Sequence, residues 1–489
     1  MGLKVVIASP EIIPFAKTGG LADVAGSLPL ALKRLGCDVT LFMPLYREVV
    51  DRGFGTEPTG VQVKIPIGRR TVSADLFKGT TDGVPVYFLK RDEYYDRSYL
   101  YGTPDGDYFD NLERFVFFSR GVVEAVVSLG LEPDVIHCND WQTGLIPAYI
   151  MSIYRSSLPA TATLFTIHNI AYQGIFPADF LDLTGLPGEM YTMEGLEFWG
   201  KINLLKAGIV YSDIINTVSE GYSREIQTPE YGYGLEGILA KRREDLFGVL
   251  NGVDYSVWNP ETDELIASRF SSDDLGGKLA CKKDLLREYS LRLKATVPLI
   301  GVISRFAEQK GFDILAEAMD ALMKLDLGMV ILGTGEKRYQ ERFESLAATY
   351  PKKLGVKIAF DNVLAHKIEA GSDMFLMPSR YEPCGLNQFY SLRYGTIPIV
   401  RATGGLDDTI KDYSGGRGNG FKFRQYSARA LVRKVKEAIS VYKDKKAWRA
   451  LQVKAMQEDF SWDRSASRYI ELYERALKKV REEPSTKVS

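Results

Sequence analysis

Two cations five residues apart, Arg305 and Lys310, stand in the run Arg305-Phe306-Ala307-Glu308-Gln309-Lys310-Gly311, just after an apolar segment and before a helix start at Phe312-Asp313. Cations in a loop that ends at a helix N-terminus, where the first N–H groups lack partners, suit a diphosphate. At an effective dielectric near 20, one cation about 4 Å from one phosphate charge is worth about 4 kcal/mol before desolvation. A salt-bridged loop is the plainer reading. A second such place is Lys17-Thr18-Gly19-Gly20-Leu21-Ala22-Asp23-Val24. Lys17 supplies a mobile cation there, and the glycines remove side chains so that a ligand can approach the backbone. An ordinary turn with a solvated lysine is the alternative.

Thr-Gly-Gly-Leu-x-Asp occurs twice, at 18–23 and at 403–408, so Thr403, Gly404 and Gly405 repeat Thr18, Gly19 and Gly20. Between them lies Pro378-Ser379-Arg380-Tyr381-Glu382-Pro383-Cys384-Gly385-Leu386-Asn387-Gln388. Glu382 sits at the mouth of a tight turn, where a carboxylate can accept bonds from sugar hydroxyls or cap the following helix. Cys384 alone reads as buried filler rather than a nucleophile. Asp140, within Cys138-Asn139-Asp140-Trp141, and His168-Asn169 complete the candidates. His168 is either a site residue or a satisfied structural imidazole.

Each candidate must be held by an element, and the apolar runs say which. Leu3 to Ile7 reads as a buried strand, and Leu21, Val24, Leu28, Leu32 and Leu35 form the stripe of an amphipathic helix. A second strand at Asp38 to Phe42 makes a βαβ start and hence a parallel sheet. Runs at 61–67, 72–77 and 84–89 read as inserted antiparallel hairpins. Helices are expected at 110–129 and 141–153, and strands at 135–137, 162–167, 214–218 and 248–250. The stretch from Ala171 to Gly208 is rich in Gly, Pro and aromatics, suiting either sugar stacking or an irregular piece of core.

Past Asn251 to Asp254 the alternation restarts, with strands at 299–304, 329–332, 357–360, 374–377 and 397–401. The expectation is an α/β chain of two doubly wound, Rossmann-like domains facing a deep cleft, 1–250 and 251–462. A C-terminal helix over 463–482 packs one apolar face, and Pro484 to Ser489 reads as a frayed tail. Ligands of such sheets bind beyond the carboxyl ends of the strands, and every candidate above lies just after a strand.

Composition narrows the function. At 489 residues, with 26% charged and 45% hydrophobic residues, the chain is an ordinary globular protein too long for one core. A net charge of −1 argues against nucleic acid or a membrane surface as partner. No apolar run can span a bilayer, and the N-terminus meets Glu11 too soon for a signal peptide. The four scattered cysteines and three histidines show no zinc spacing or disulfide framework, so a cytoplasmic protein without a metal or other cofactor is expected.

Taken in order, Lys17 to Val24, His137 to Trp141, His168-Asn169, Asn251 to Asp254, Arg305 to Gly311, Arg380 to Leu386, Thr403 to Leu406 and Phe460-Ser461-Trp462 resemble the motifs of bacterial and plastid glycogen and starch synthases. These are ADP-glucose-using, retaining glycosyltransferases of the GT-B fold, and the resemblance covers nearly the whole chain. It implies transfer of α-glucose from ADP-glucose to the 4-hydroxyl of an α-1,4-glucan's non-reducing end. By the same resemblance Arg305 and Lys310 hold the diphosphate, helped by backbone donors at Gly19-Gly20 and Thr403-Gly404-Gly405. Lys17, with Thr18 and Asp23 beside it, reaches the nucleotide sugar from the first domain. Glu382 and the backbone of Cys384, Gly385 and Leu386 hold glucose hydroxyls. His168 lies near the reacting carbon, Asp140 and Asn169 line the acceptor side, and adenine stacks near Phe360, where the family commonly has tyrosine. A Glu-x7-Glu pattern of related transferases is not met, since Tyr390 stands eight after Glu382; synthases of this group share that departure.

Rivals are weaker. No G-x-G-x-x-G follows an expected strand, as a dinucleotide-dependent dehydrogenase requires. Glucan phosphorylases need a pyridoxal lysine and a much longer chain. A non-catalytic glucan-binding protein would be expected to lose Lys17, Arg305, Lys310 or Glu382, and all four are present. A transferase using UDP-glucose or another acceptor is the nearest rival.

Overall fold

A computed structural model describes residues 2–482, so the expectation for Pro484 to Ser489 lies outside the described residues. Within them the chain forms two compact units, one of residues 2–218, 223–252 and 462–482, the other of 219–222 and 253–461. The first unit therefore holds a discontinuous chain, and the last helix belongs to it rather than to the segment that precedes it.

The first unit is built on a nine-stranded sheet in the order Leu246–Gly248, Ile214–Thr217, Ala162–Ile167, Val135–Asn139, Lys4–Ala8, Asp38–Pro44, Val84–Lys90, Arg70–Thr81 and Glu57–Ile67. The first seven run parallel, and the last two are joined antiparallel as a hairpin at the edge. Val135–Asn139 and Ala162–Ile167 are buried along their whole length, as strands covered on both faces must be. Chain order along the sheet reverses between Lys4–Ala8 and Val135–Asn139, so the crevice of this unit opens there. Asn139 ties the two strands together, its side-chain amide donating to the carbonyl of Ala8 at 3.1 Å.

The last helix, Trp462–Glu482, lays Ala466, Tyr469, Tyr473 and Ala476 into this unit. Tyr469 accepts from the Asn216 side chain at 3.1 Å, and Tyr473 bonds His137 Nδ1 at 2.9 Å. His137 Nε2 meets Thr166 Oγ1 at 2.7 Å, so its ring is fully satisfied and structural.

The second unit carries a six-stranded, all-parallel sheet in the order Leu354–Ile358, Gly328–Gly333, Leu299–Ile303, Met374–Met377, Ile397–Arg401 and Phe421–Phe423. In sequence order that is 3-2-1-4-5-6, and the reversal falls between Leu299–Ile303 and Met374–Met377. Its core joins Ile300, Val302, Phe306, Phe312, Leu315, Met319, Phe343 and Leu376 with the helix Ala428–Lys443.

Five details differ from the sequence reading. The strand expected at 357–360 is Leu354–Ile358, which leaves Phe360 in the following loop, and that expected at 248–250 is Leu246–Gly248. The helix expected from 141 to 153 is a short turn, Trp141–Thr143, followed by Leu145–Ser152. The stretch from 171 to 208 is more regular than its composition suggests: Ile175–Pro177, Glu197–Phe198 and Lys201–Asn203 form a small antiparallel sheet among short turns, followed by the helix Leu204–Tyr211. Phe421–Phe423 was not expected, since three residues are too few to show a period.

Candidate active site

In the first unit, the loop after Lys4–Ala8 folds back on itself around Glu11, which is only 4% exposed. Glu11 accepts from the backbone N–H groups of Thr18 and Gly19, from Thr18 Oγ1 at 2.6 Å and from the Tyr101 hydroxyl at 2.6 Å. A carboxylate collecting donors at a helix entrance is the arrangement expected of an anion there, and this anion is the chain's own. Glu11 thus shapes the glycine turn, with Gly19 as N-cap of the helix Gly20–Arg34. Lys17 through Gly20 are exposed, and a Cβ on Gly19 would meet nothing within 4 Å. Lys17 Nζ pairs with Asp23 Oδ1 at 2.7 Å. Burial raises the Asp23 carboxyl, against the lowering pull of Lys17.

Asp140 follows Val135–Asn139 with φ 56° and ψ −178°, a conformation that is essentially confined to glycine. Bonds at both ends hold it there. Its N–H donates to Thr166 O at 3.0 Å, and its Oδ1 accepts from the His168 N–H at 2.7 Å. Burial pushes the Asp140 carboxyl up to about 7, while the backbone N–H groups of His168 and Asn169 pull it down and the charge of Glu11 adds a smaller upward push.

His168 is 9% exposed, and burial lowers it to about 3, so its ring is neutral near pH 7. Its Nε2 lies 2.9 Å from Asn139 Oδ1. Since the Asn139 amide nitrogen is already given to Ala8, Oδ1 must accept, which puts the proton on Nε2 and leaves Nδ1 as an acceptor. Asn169 turns its Oδ1 back onto the N–H of Ala171 at 3.1 Å. Asn139, Asp140 and His168 form one hydrogen-bonded network at the switch point of the sheet, and the charge of Glu11 acts on Asp140 within it.

In the second unit the corresponding crevice is crossed by an ion pair. Lys310 Nζ lies 2.9 and 2.8 Å from the two oxygens of Glu382, and Ser379 Oγ donates to the same carboxylate at 3.0 Å. Gly311, with φ 78°, caps the helix Phe312–Met323, and a Cβ there would come within 2.1 Å of Pro378 O. That close approach of backbones brings Lys310 and Glu382 together from the ends of two different strands. Arg305 is exposed and reaches Gln309 at 3.5 Å, while Gln309 O accepts from the N–H of Arg380 at 2.8 Å. Arg380 and Arg401 both lie over the Tyr426 ring, at 4.3 and 5.3 Å.

The second glycine turn does something different from the first. Thr403 caps the short helix Gly404–Thr409, and a Cβ on Gly404 would stand 2.1 Å from Glu382 O, one on Gly405 2.2 Å from Cys384 O. The Gly405 N–H donates to Glu382 O at 3.2 Å. These glycines pack the turn onto the Glu382–Cys384 backbone. Gly385, with φ 75°, lets the chain bend into the helix Asn387–Arg393 behind Leu386, and Gln388 Nε2 bonds the Cys384 and Gly385 carbonyls. Phe360 stands apart, 87% exposed.

The sequence singles out the glycine turns, both cations, both carboxylates and His168 as candidates, and the structure places each of them just after a strand of its own unit. Sequence reasoning missed Glu11, Tyr101, Asn139 and Ser379. Asn139 and Ser379 stood inside motifs already singled out, whereas nothing local marks Glu11 as the partner of a loop seven residues on. Among the described residues, no group of three or more His, Cys, Asp and Glu side chains is placed to hold a metal, and no helix is long and apolar enough to cross a membrane.

Two family models match the chain: a starch synthase catalytic domain over residues 4–241 and a glycosyl transferases group 1 domain over 288–451. A glycogen synthase of Koribacter versatilis is 49% identical over 484 residues, covering 98% of this chain and 99% of that protein. One from Thermotoga maritima is 45% identical, covering 98% and 100%. Among solved structures, the catalytic domain of starch synthase IV from Arabidopsis thaliana, bound to ADP and acarbose, matches with a TM-score of 0.90 at 33% identity, covering 98% of this chain and 100% of that one. Sucrose-phosphate synthase from Thermosynechococcus elongatus matches at TM-score 0.60 and 16% identity, over 97% and 99%, a likeness of fold alone.

Proposed function

The chain belongs to the glycogen and starch synthase family of glycosyltransferases, and from that premise we propose that it transfers glucose from ADP-glucose to the non-reducing 4-hydroxyl of an α-1,4-glucan, with retention of the α configuration and release of ADP. As an enzyme it is an ADP-glucose:α-1,4-glucan 4-α-glucosyltransferase of the cytoplasm, its only small-molecule requirement the donor.

The Lys310–Glu382 pair at the switch point of the second sheet carries this reading. It sets a cation for the diphosphate beside a carboxylate for the sugar, at the end of the sheet where nucleotides bind in such folds. Arg305 and Lys310 take up the charge that grows on the departing diphosphate, so the leaving group needs no general acid. Glu382, oriented by Ser379 and by the backbone that Gly404 and Gly405 buttress, accepts from glucose hydroxyls. The exposed ring of Phe360 offers a face to the base. Lys17, paired only at the surface with Asp23, is available to the nucleotide sugar, with the Thr18–Gly20 turn held in shape by Glu11.

On the acceptor side Asp140 and Asn169 bind glucan hydroxyls, and His168 sets a neutral ring beside the reacting carbon. The step itself is a same-face substitution. The C1–O bond to the diphosphate breaks through an oxocarbenium-like state, its electron pair leaving with the phosphate. The acceptor 4-hydroxyl then bonds to C1 and passes its proton to the departing phosphate oxygen. Incubation with ADP-glucose and maltoheptaose, followed by NMR of the product, tests this. New α-1,4 linkages with one ADP per glucose are expected. A β linkage, or a glycosyl-enzyme trapped on Asp140, would overturn the mechanism.

A further inference from the structure

Trp199 stands 82% exposed, in the left-handed backbone conformation (φ 51°), at the turn between Glu197–Phe198 and Lys201–Asn203. A bulky residue at positive φ is strained, and an exposed indole gains nothing from burial, so neither packing nor turn chemistry accounts for a tryptophan there. Beside it, Tyr233 repeats both features, with φ 52° and 45% exposure. The two loops touch. Gly234, at φ 85°, lies so close that a Cβ would stand 3.0 Å from the Phe198 ring and 3.5 Å from Trp199 Nε1.

This aromatic platform is rigidly joined to the acceptor side of the candidate site. The small sheet that carries Trp199 is seated on Trp141, next to Asp140: a Cβ on Gly174 would be 2.3 Å from the Trp141 ring, and Phe176 packs on that ring at 5.9 Å. Gln173, in the loop after His168, accepts from Asn203 of the sheet at 2.7 Å and donates to Tyr233 O at 3.1 Å.

We propose that Trp199, backed by Phe198 and flanked by Tyr233, is a remote glucan subsite, where an indole face stacks on glucose units set back from the acceptor's reacting end. A flat exposed ring matches the apolar face of a pyranose, and the glucan acceptor of the proposed reaction, on which this inference rests, supplies a chain of such faces. The subsite acts on long acceptors only, since maltose is too short to reach beyond the reacting residues.

The test compares Trp199→Ala and Trp199→Phe with the parent enzyme. For Trp199→Ala the KM for maltoheptaose should rise about tenfold with kcat and the ADP-glucose KM unchanged, while the maltose KM stays put. Trp199→Phe should recover most of the loss. Calorimetry of maltoheptaose binding without donor should show the same weakening, with an unchanged melting temperature. Equal effects on maltose and maltoheptaose, or no effect on either in kinetics and calorimetry, would overturn the proposal. If the parent enzyme transfers no glucose, the functional reading fails, and calorimetry on parent and variant still decides the subsite.

Discussion

Lys310 meets both oxygens of Glu382 within 3 Å, although the two residues belong to loops after different strands, Leu299–Ile303 and Met374–Met377. In the proposed reaction a diphosphate bound at Lys310 would share that ammonium with Glu382, and a partly released Glu382 would become a stronger acceptor for sugar hydroxyls. This one contact would then link recognition of the phosphate to recognition of the sugar.

Lys310→Ala and Arg305→Ala should each lower turnover at least a hundredfold, about 2.7 kcal/mol of lost transition-state stabilisation. Steady-state kinetics decides this, and activity within threefold of the parent would place these cations away from the reacting phosphate. Because Glu382 is 5% exposed, Lys310→Ala also strands a buried carboxylate, so Lys310→Ala/Glu382→Gln should be more stable than Lys310→Ala alone.

Lys17 and Asp23 form a surface pair with side chains 43% and 25% exposed, an interaction of the kind worth about 0.2–1 kcal/mol. Lys17→Gln should therefore leave the melting temperature nearly untouched and raise the donor KM. A large loss of stability with an unchanged donor KM would assign Lys17 to structure instead.

Glu11 gathers four donors in a buried setting. Glu11→Ala leaves them unpaired and should destabilise the protein by about 2–3 kcal/mol, as read by urea unfolding, while raising the donor KM through the loosened turn. An unchanged midpoint would show that the turn holds itself.

Asp140, with its carboxyl near pH 7, should give a pH limb in kcat/KM for the glucan. In the proposed reaction the carboxylate accepts the glucan hydroxyl bonds, so activity should fall as pH drops through about 7, and Asp140→Asn should abolish the limb along with much of the activity. His168 is held neutral down to about pH 3 and should add no limb of its own. Stability carries the opposite sign for these two groups. Asp140 binds its proton more tightly folded than unfolded, so it destabilises as pH rises from about 4 to about 7. His137 and His168, both lowered to about 3, bind protons less tightly folded, so their contribution is lost as pH falls below about 6.5.

The strand–turn–helix steps that carry Lys310, Glu382, Asp140 and His168 were legible because each is local: an apolar run, then a glycine, proline or charge at a helix start. What the glycines do was not. Gly19-Gly20 and Gly404-Gly405 share one motif, yet the first lies open around Glu11 and the second is wedged against Glu382 and Cys384. That difference depends on what folds over each turn, which adjacent residues do not encode. The tautomer of His168 and the strained backbone of Asp140 are likewise set by Asn139, Ala8 and Thr166, brought from three strands. Phe360 is expected at a strand end, and the earlier stop at Ile358 leaves it in a loop.

The most direct test is glucose incorporation into glycogen from ADP-glucose and from UDP-glucose, compared as kcat/KM with the parent chain. The account predicts efficient elongation from ADP-glucose, a clear preference for it over UDP-glucose, and loss of both in Lys310→Ala. No incorporation from either donor would contradict it.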